Sequence, residues 1–172
     1  MTSVLSSEDG PVDGTVDADS FRRLFRHHAA PVAVIMTGGA SPVGFTATSL
    51  VPLAADPPLV SFNIGRDSSS WPTVERAEHL SVNLLAAGQH DVATVFATSG
   101  IDRFAAITHW RRGPHGLPVL DDSLAWLALR VRGRVDAGDH AVVVADVIRA
   151  EHTPAAPLLY HRGRYTSVLD AP

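Results

Sequence analysis

The chain has 172 residues, no Cys, no Lys, 45% hydrophobic residues and a formal charge of −4. A chain of this length supports one domain with a core large enough to fold unaided. The absence of Cys excludes thiolate nucleophiles, disulfides and iron–sulfur clusters, and the absence of Lys excludes Schiff-base chemistry and a P-loop lysine.

The negative charge belongs to the first nineteen residues. They carry five acidic residues and no basic one, among Gly, Ser, Thr and Pro, which predicts a mobile arm over 1–19 and one domain over 20–172. Without those five acids the chain carries a formal charge of +1, which argues against a nucleic-acid surface. The start lacks the features of a secretory signal, and no segment has the length of a membrane span, so we expect a cytoplasmic location.

The N-terminal half predicts helices and strands in alternation. A helix is expected over 17–28, because Asp17 or Asp19 can cap it and apolar residues follow at a spacing of three to four. Pro31 ends this helix, and turn residues then separate apolar stretches that predict strands over 32–37, 43–51 and 59–64. After a loop, the pattern predicts a short helix over 71–76, a strand over 79–85 and a helix over 91–98.

The C-terminal half is dominated by strands. Residues 99–123 are rich in Gly, Pro and turn residues, so we expect irregular structure there. Over 127–136 apolar and polar residues alternate, which predicts a strand with one face in water. A turn leads to a strand over 140–151, and two short strands are expected over 158–160 and 165–169. Six or more strands on short connections predict an antiparallel barrel or sandwich.

The polar face of the strand over 127–136 carries a row of arginines, namely Arg130, Arg132 and Arg134. Such a row is either a solvated face paired with acids on a neighbouring strand or a contact between subunits. We favour the first interpretation, because charged rows of this kind usually lie on the surface.

The histidines and two segments of the chain are the candidates for binding chemistry. The nine His residues show no zinc-ligand spacing, so we predict no metal site. The serines at 68–70 precede a predicted helix and follow Arg66; they either cap the helix or, with free N–H groups, bind an anion such as phosphate. Arg103 is either a solvated side chain or a partner for that phosphate, since guanidinium and phosphate form charge-assisted hydrogen bonds.

Seven segments occur in an order that resembles the flavin reductase-like family. They are GFTATS (44–49), DPPLVSFNI, SSSW, LSVNLL, DRF, GDHAVVVADV and PLLYHRGRY. The resemblance covers about residues 20–169 and implies a mainly β fold, an FMN-binding split β-barrel of the Greek-key antiparallel type with a few short helices. Two departures lie in the barrel wall, since many members have Cys near 127–129 and Gly at the position of Ala145.

The resemblance also implies site residues. It assigns cofactor binding to Thr46, Ala47, Thr48, Ser49, Ser61, Asn63, Ser68, Ser69, Ser70, Asn83, Arg103, Phe104 and Tyr160. It places His140, after Gly138-Asp139, near the nicotinamide, and we expect His140 to be the catalytic residue.

The function implied by the resemblance is that of an NAD(P)H-dependent flavin reductase. It implies FMN or FAD as the flavin, NADH or NADPH as the hydride donor, a homodimer, and a separate flavin-dependent monooxygenase that receives the reduced flavin. Hydride passes between nicotinamide and flavin with little acid–base help, which fits a chain without Cys and Lys. Two alternatives remain open: a flavin-binding electron carrier or sensor without nicotinamide turnover, and a split-barrel protein that has lost its cofactor.

Overall fold

A computed structural model describes residues 14–107 and 109–168. The predicted acidic arm falls mostly on residues 1–13, outside these ranges, and stays a prediction. The described helices are α1 (Ala18–Phe25), α2 (Trp71–Val74), α3 (His90–Ala97) and α4 (Arg103–Ala106). The described strands are β1 (Ala30–Pro31), β2 (Ala33–Thr37), β3 (Gly44–Ala47), β4 (Val51–Ala55), β5 (Pro58–Gly65), β6 (His79–Leu84), β7 (Trp110–Arg112), β8 (Pro118–Leu120), β9 (Ala125–Ala137), β10 (His140–His152), β11 (Leu158–His161) and β12 (Arg164–Ser167).

Seven strands form one antiparallel sheet in the order β3-β2-β6-β9-β10-β5-β4. Two smaller sheets, β1-β11-β12 and β7-β8, accompany it. Strand β2 is buried along its whole length, as the apolar run over 32–36 predicts. None of the described helices is both long and apolar enough to cross a membrane.

The seven-stranded sheet must curl back on itself, because its two edge strands are almost consecutive in the chain. Strands β3 and β4 lie at opposite edges, yet only residues 48–50 connect them. In a flat sheet the edges would be about 28 Å apart, whereas the four steps from Ala47 to Val51 span at most about 14 Å. The rings of Phe45 and Phe62, 6.1 Å apart, fill the interior that this curvature creates. The stretch over 44–50 therefore lies where the barrel is split.

Two predictions about elements were wrong. The strand expected over 43–51 ends at Ala47, and Val51 begins a separate strand at the other edge of the sheet. Residues 99–123 contain helix α4, the hairpin β7-β8 and one turn of 3-10 helix at Pro114–Gly116. This segment is ordered by packing rather than by its own periodicity, since Leu117 and Val119 share a buried cluster with Trp126 and Ala128.

The same packing changes the face of β9 that was expected to lie in water. Its first half is buried on both sides, and Ala128 is fully buried. The arginines that follow are solvated or paired, as favoured from the sequence. Arg130 and Arg132 both contact Asp146 on the neighbouring strand β10, at 3.6 and 2.6 Å. Arg134 instead donates hydrogen bonds to the carbonyl oxygens of Val74 and Ala77, at 2.7 and 2.6 Å, and so stabilises the end of α2.

Candidate functional site

A polar cleft of about 560 Å³ lies at the split of the barrel. It falls within the size range of ligand pockets in proteins. Segments that are distant in the chain meet there: the end of β3 with residues 48–49, the end of β5 with the serine turn, the end of α3, Arg103 and the start of β10. Its lining comprises Phe45, Thr46, Ala47, Thr48, Ser49, Asn63, Ile64, Gly65, Asp67, Ser68, Ser69, Phe96, Ala97, Ser99, Arg103 and His140.

The three hydroxyl groups of the 44–49 stretch have different partners. The Thr46 hydroxyl donates a hydrogen bond to the Ala93 carbonyl oxygen at 2.7 Å, which joins β3 to α3. The Ser49 hydroxyl accepts from the Asn63 N–H at 2.9 Å and donates to the Asn63 carbonyl oxygen at 3.3 Å, so its side chain replaces a strand partner of β5. Thr48 is exposed and bonds to none of the described residues, which leaves its hydroxyl for a ligand.

The serine turn over 68–70 presents two of its three side chains to the cleft. The Ser68 hydroxyl accepts from the Ser70 N–H at 3.3 Å, whereas the Ser69 hydroxyl has no partner among the described residues. Ser70 is buried on the other side and donates to the Gly44 carbonyl oxygen at 3.3 Å. Ser70 is the N-cap residue of α2, but its side chain makes no capping hydrogen bond. The capping interpretation of these serines is therefore not observed.

Arg103 joins the serine turn to the end of α3. Its Nη1 donates to the Gly44 carbonyl oxygen at 2.6 Å and to the Ser70 hydroxyl at 3.2 Å, and its Nε donates to the Thr98 carbonyl oxygen at 2.9 Å. Burial lowers the pKa of this guanidinium from its ordinary value, but an arginine remains charged at neutral pH. Its Nη2 donates to none of the described residues, so a cationic donor at the cleft wall is left for an anion.

His140 stands at the other end of the cleft, at the start of β10. Its Nδ1 is 2.6 Å from the Asp139 carboxylate. A carboxylate at Nδ1 favours the tautomer with the proton there and leaves Nε2 as the acceptor of the neutral ring. This hydrogen bond is the main reason that the pKa of Asp139 lies below its ordinary value. Since about half of the His140 side chain is exposed, the imidazole is accessible to a ligand.

Gly65, beside His140 in the β5–β10 pair, provides space that a side chain would fill. A Cβ atom at this position would be 2.7 Å from Asp67 Oδ1 and 3.7 Å from His140 Nε2. The Asp67 carboxylate and the imidazole therefore lie over the same glycine, on the histidine side of the cleft. Sequence reasoning missed Gly65 and Asp67, because only the folded chain brings β5 and β10 together.

Five predicted cofactor-binding residues do not line the cleft. Ser61 pairs within the sheet with β4 and β10, nearer the middle of β5. Asn83 is fully buried, and its Oδ1 accepts from the Leu120 N–H at 2.8 Å. Phe104 packs edge-on against the Phe96 ring at 5.4 Å. Tyr160 lies on β11 and borders a neighbouring cavity. Ser70, as described above, also faces away from the cleft.

Apolar residues of the cleft were also missed. They are Phe45, Ile64, Phe96 and Ala97. The last two belong to α3, which the sequence predicts as a helix but gives no reason to place beside β3. Among the described residues, no group of three or more His, Asp or Glu is arranged to hold a metal ion.

The fold and the cleft place this chain in a class of proteins: mainly antiparallel β domains with a polar cleft at the split of a barrel. The sequence profile of the family described as "Flavin reductase like domain" matches residues 25–169. The chain belongs to this flavin reductase-like family, which confirms the resemblance and the mainly β, split-barrel fold predicted from the sequence.

Individual relatives cover nearly the same range. An NADH:FMN oxidoreductase of Rhodococcus qingshengii is 40% identical over 154 residues, which are 86% of this chain and 80% of that protein. The reductase subunit HsaB of a flavin-dependent monooxygenase of Mycobacterium tuberculosis is 36% identical over 157 residues, covering 89% and 83% of the two chains. A solved structure of the Streptomyces globisporus C-1027 NADH:FAD oxidoreductase SgcE6, in complex with NAD and FAD fragments, superposes with a TM-score of 0.83 at 30% identity, covering 87% of this chain and 92% of that chain.

Proposed function

We propose that this protein is an NAD(P)H-dependent flavin reductase that binds FMN or FAD in the cleft at the split of the barrel. The observation that carries the proposal is the meeting of residues 46–49, Ser68, Ser69, Arg103 and His140 around one cleft. These are the segments to which the family resemblance assigns flavin and nicotinamide. The names of the relatives support the same activity.

The groups available in the cleft fit a flavin nucleotide. The hydroxyls of Thr48 and Ser69 and the side-chain amide of Asn63 have no hydrogen-bond partner among the described residues, so they can bond to the polar edge and ribityl chain of the ligand. Arg103 Nη2 and the serine turn offer donors for its phosphate. The Asp67 carboxylate, which would repel a phosphate, lies at the histidine end. We therefore place the phosphate at the end of the cleft formed by Ser69 and Arg103.

A bound flavin supplies a ring that accepts hydride from a dihydronicotinamide. The chain's own contribution is to hold the two rings in register and to exclude competing reactions. With Nδ1 bonded to Asp139, His140 presents Nε2 to the cleft, where it can hydrogen-bond to the carboxamide of the nicotinamide. His140 thus orients the donor and does not need to transfer a proton.

We propose a homodimer, because large apolar side chains are exposed in two places. Strand β4 is an edge strand whose five residues are all exposed, with Val51 49% and Leu53 51% accessible. Helix α1 exposes Phe21 and Phe25, whose rings lie 4.5 Å apart. Exposed apolar edges of this kind are usually covered by another chain. Sedimentation of the wild type and of a Leu53→Asp variant tests this: a monomeric wild type contradicts the proposal.

The reduced flavin is proposed to serve a separate flavin-dependent monooxygenase, as the names of relatives such as HsaB indicate for those proteins. We propose that this occurs in the cytoplasm, where reduced nicotinamide nucleotides are held.

The test of the proposed function is steady-state oxidation of NADH and NADPH with FMN, FAD or riboflavin as acceptor. Flavin-dependent turnover with at least one pair is expected. Tightly bound flavin that dithionite reduces but NAD(P)H does not would instead identify an electron carrier or sensor. His140→Ala should raise the KM for the nicotinamide nucleotide and leave flavin affinity nearly unchanged; equal loss of both contradicts the assigned role.

A further inference from the structure

A second cavity adjoins the flavin cleft at the end of helix α3. We call it the hairpin cavity, because the β11–β12 hairpin supplies Tyr160, Arg164 and Tyr165 to its wall. Its volume is about 490 Å³, again within the range of ligand pockets. Ala97 lines both cavities. The two cavities are therefore adjacent, and the C-terminal end of α3 forms part of the wall of each.

The hairpin cavity begins beside the proposed phosphate end of the cleft. Thr98 borders the hairpin cavity, and its carbonyl oxygen accepts from Arg103 Nε at 2.9 Å. The same guanidinium contacts the Ser70 hydroxyl of the serine turn. The hairpin cavity thus lies close to the Arg103 end of the cleft, within a few residues of the proposed phosphate position.

The side chains in this cavity suit an aromatic base. Tyr160 and Tyr165 stand edge to face with ring centroids 5.4 Å apart, and His90 lies 5.0 Å from Tyr165 in the same relation. Tyr165 is thereby held between two rings, whereas Tyr160 is 38% exposed. An exposed tyrosine ring with a fixed neighbour is a surface on which a planar base stacks.

The cavity also suits a phosphate group. Arg164 makes no ion pair or side-chain hydrogen bond with the described residues, and no described residue lining the cavity is acidic. Burial, and to a lesser degree Tyr160, raises the pKa of the Tyr165 phenol, so this hydroxyl stays neutral and does not repel an anion. A free guanidinium beside neutral aromatic rings is the arrangement that binds the phosphates of a nucleotide.

We propose that the hairpin cavity binds the adenylate half of a dinucleotide whose other half occupies the flavin cleft. Tyr160 stacks on the adenine, and Arg164 bonds to the diphosphate. This inference rests on the proposed function. Two substrates carry this chemical group, FAD and NAD(P)H, and each has a truncated counterpart without it: FMN for FAD, and dihydronicotinamide mononucleotide for NADH.

The experiment compares full and truncated ligands. Dissociation constants of FAD and FMN are measured by flavin fluorescence quenching, and KM values of NADH and dihydronicotinamide mononucleotide are measured with FMN as acceptor. The wild type should favour one full ligand over its truncated form by about tenfold, the size of one base–aromatic stack. Tyr160→Ala and Arg164→Ala should each remove most of this preference, and Tyr160→Phe, which keeps the ring, should retain it.

Arg162→Ala is the matched control, since Arg162 lies on the same hairpin but contacts His27 at 3.3 Å and does not line the cavity. If the variants lose the preference for FAD over FMN, the cavity binds the adenylate of the flavin. If they lose the preference for NADH over dihydronicotinamide mononucleotide, it binds the adenylate of the hydride donor. Equal affinities in the wild type, or ratios that the variants leave unchanged, overturn the proposal. Turnover of FMN with dihydronicotinamide mononucleotide uses no adenylate, so its presence or absence tests the reductase function separately.

Discussion

Replacing Arg103 with alanine separates its role in the fold from its role at the site. The side chain donates to the carbonyl oxygens of Gly44 and Thr98 and to the Ser70 hydroxyl, at 2.6, 2.9 and 3.2 Å. The Gly44 oxygen keeps its bond from Ser70, whereas the Thr98 carbonyl oxygen and the Ser70 hydroxyl both lose the donor that Arg103 provides. Hydrogen bonds from charged donors contribute about 1.5–3 kcal/mol each. Because solvation offsets part of the loss, we expect Arg103→Ala to lower the free energy of unfolding by about 2–4 kcal/mol.

For a domain of this size, that loss corresponds to a fall in Tm of about 4–16 °C. Arg103→Lys keeps the charge but not the planar fork of donors, so its Tm should lie between those of the wild type and the alanine variant. Thermal unfolding in the absence of ligand measures both values.

The effect at the site is expected to depend on phosphate. FMN carries the phosphate that Arg103 Nη2 is proposed to bind, and riboflavin lacks it. Loss of one charge-assisted interaction should weaken FMN binding about 10- to 100-fold, whereas the affinity for riboflavin should change little. Titrations are made well below the variant's Tm. If Arg103→Ala weakens FMN and riboflavin by the same factor, Arg103 only supports the fold and the placement of the phosphate is refuted.

Two further predictions concern β3 and the Asp139–His140 pair. Gly44→Ala should lower the free energy of unfolding, measured by urea titration, by about 1–3 kcal/mol. The reason is that the added Cβ would lie within 2.8 Å of two buried side chains. Gly88→Ala is the control, because a Cβ there would meet nothing within 4 Å. The folded pKa of Asp139 is depressed mainly by its hydrogen bond to His140, so this bond stabilises the fold above the unfolded pKa and is lost as pH falls through the folded pKa. In His140→Ala the Asp139 pKa, followed by carboxyl carbon shifts in NMR, should rise toward its ordinary value; an unchanged pKa would show that the bond does not form.

The sequence predicts most strands correctly because their signals are local. Residues 32–36 are apolar, and β2 over Ala33–Thr37 is buried on both faces; the predicted strand over 140–151 lies within β10. The irregular structure expected over 99–123 was wrong, since the hairpin β7-β8 depends on packing that its own sequence pattern does not report: Leu117 and Val119 share a buried cluster with Trp126 of β9. Turn residues indicate where the backbone can bend, but they do not indicate whether a short strand packs against a buried surface.

The site was predictable only as a set of segments, because its partners are long-range. The stretch GFTATS stands out because it carries three hydroxyl groups where a buried strand usually has apolar side chains. The sequence does not show which groups these hydroxyls bond to. Thr46 bonds to a helix carbonyl 47 residues away, and Ser49 bonds to both backbone groups of Asn63. The resemblance assigned both hydroxyls to the flavin, and in the structure they hold the walls of the cleft. Thr48 has no partner among the described residues.

The location of the cleft follows from the closure of the barrel. Residues 48–50 carry the chain from one edge of the sheet to the other. The two edge strands, β3 and β4, are therefore not joined by a continuous ladder of backbone hydrogen bonds where the barrel closes. Backbone groups at that seam need other partners, because buried N–H and C=O groups are seldom left unpaired. Ser49 supplies them for Asn63, and a valine at this position would offer neither group a side-chain partner. The same gap in the ladder admits a ligand, so one short crossing explains both the polar residues of the stretch and the presence of a binding cleft beside it.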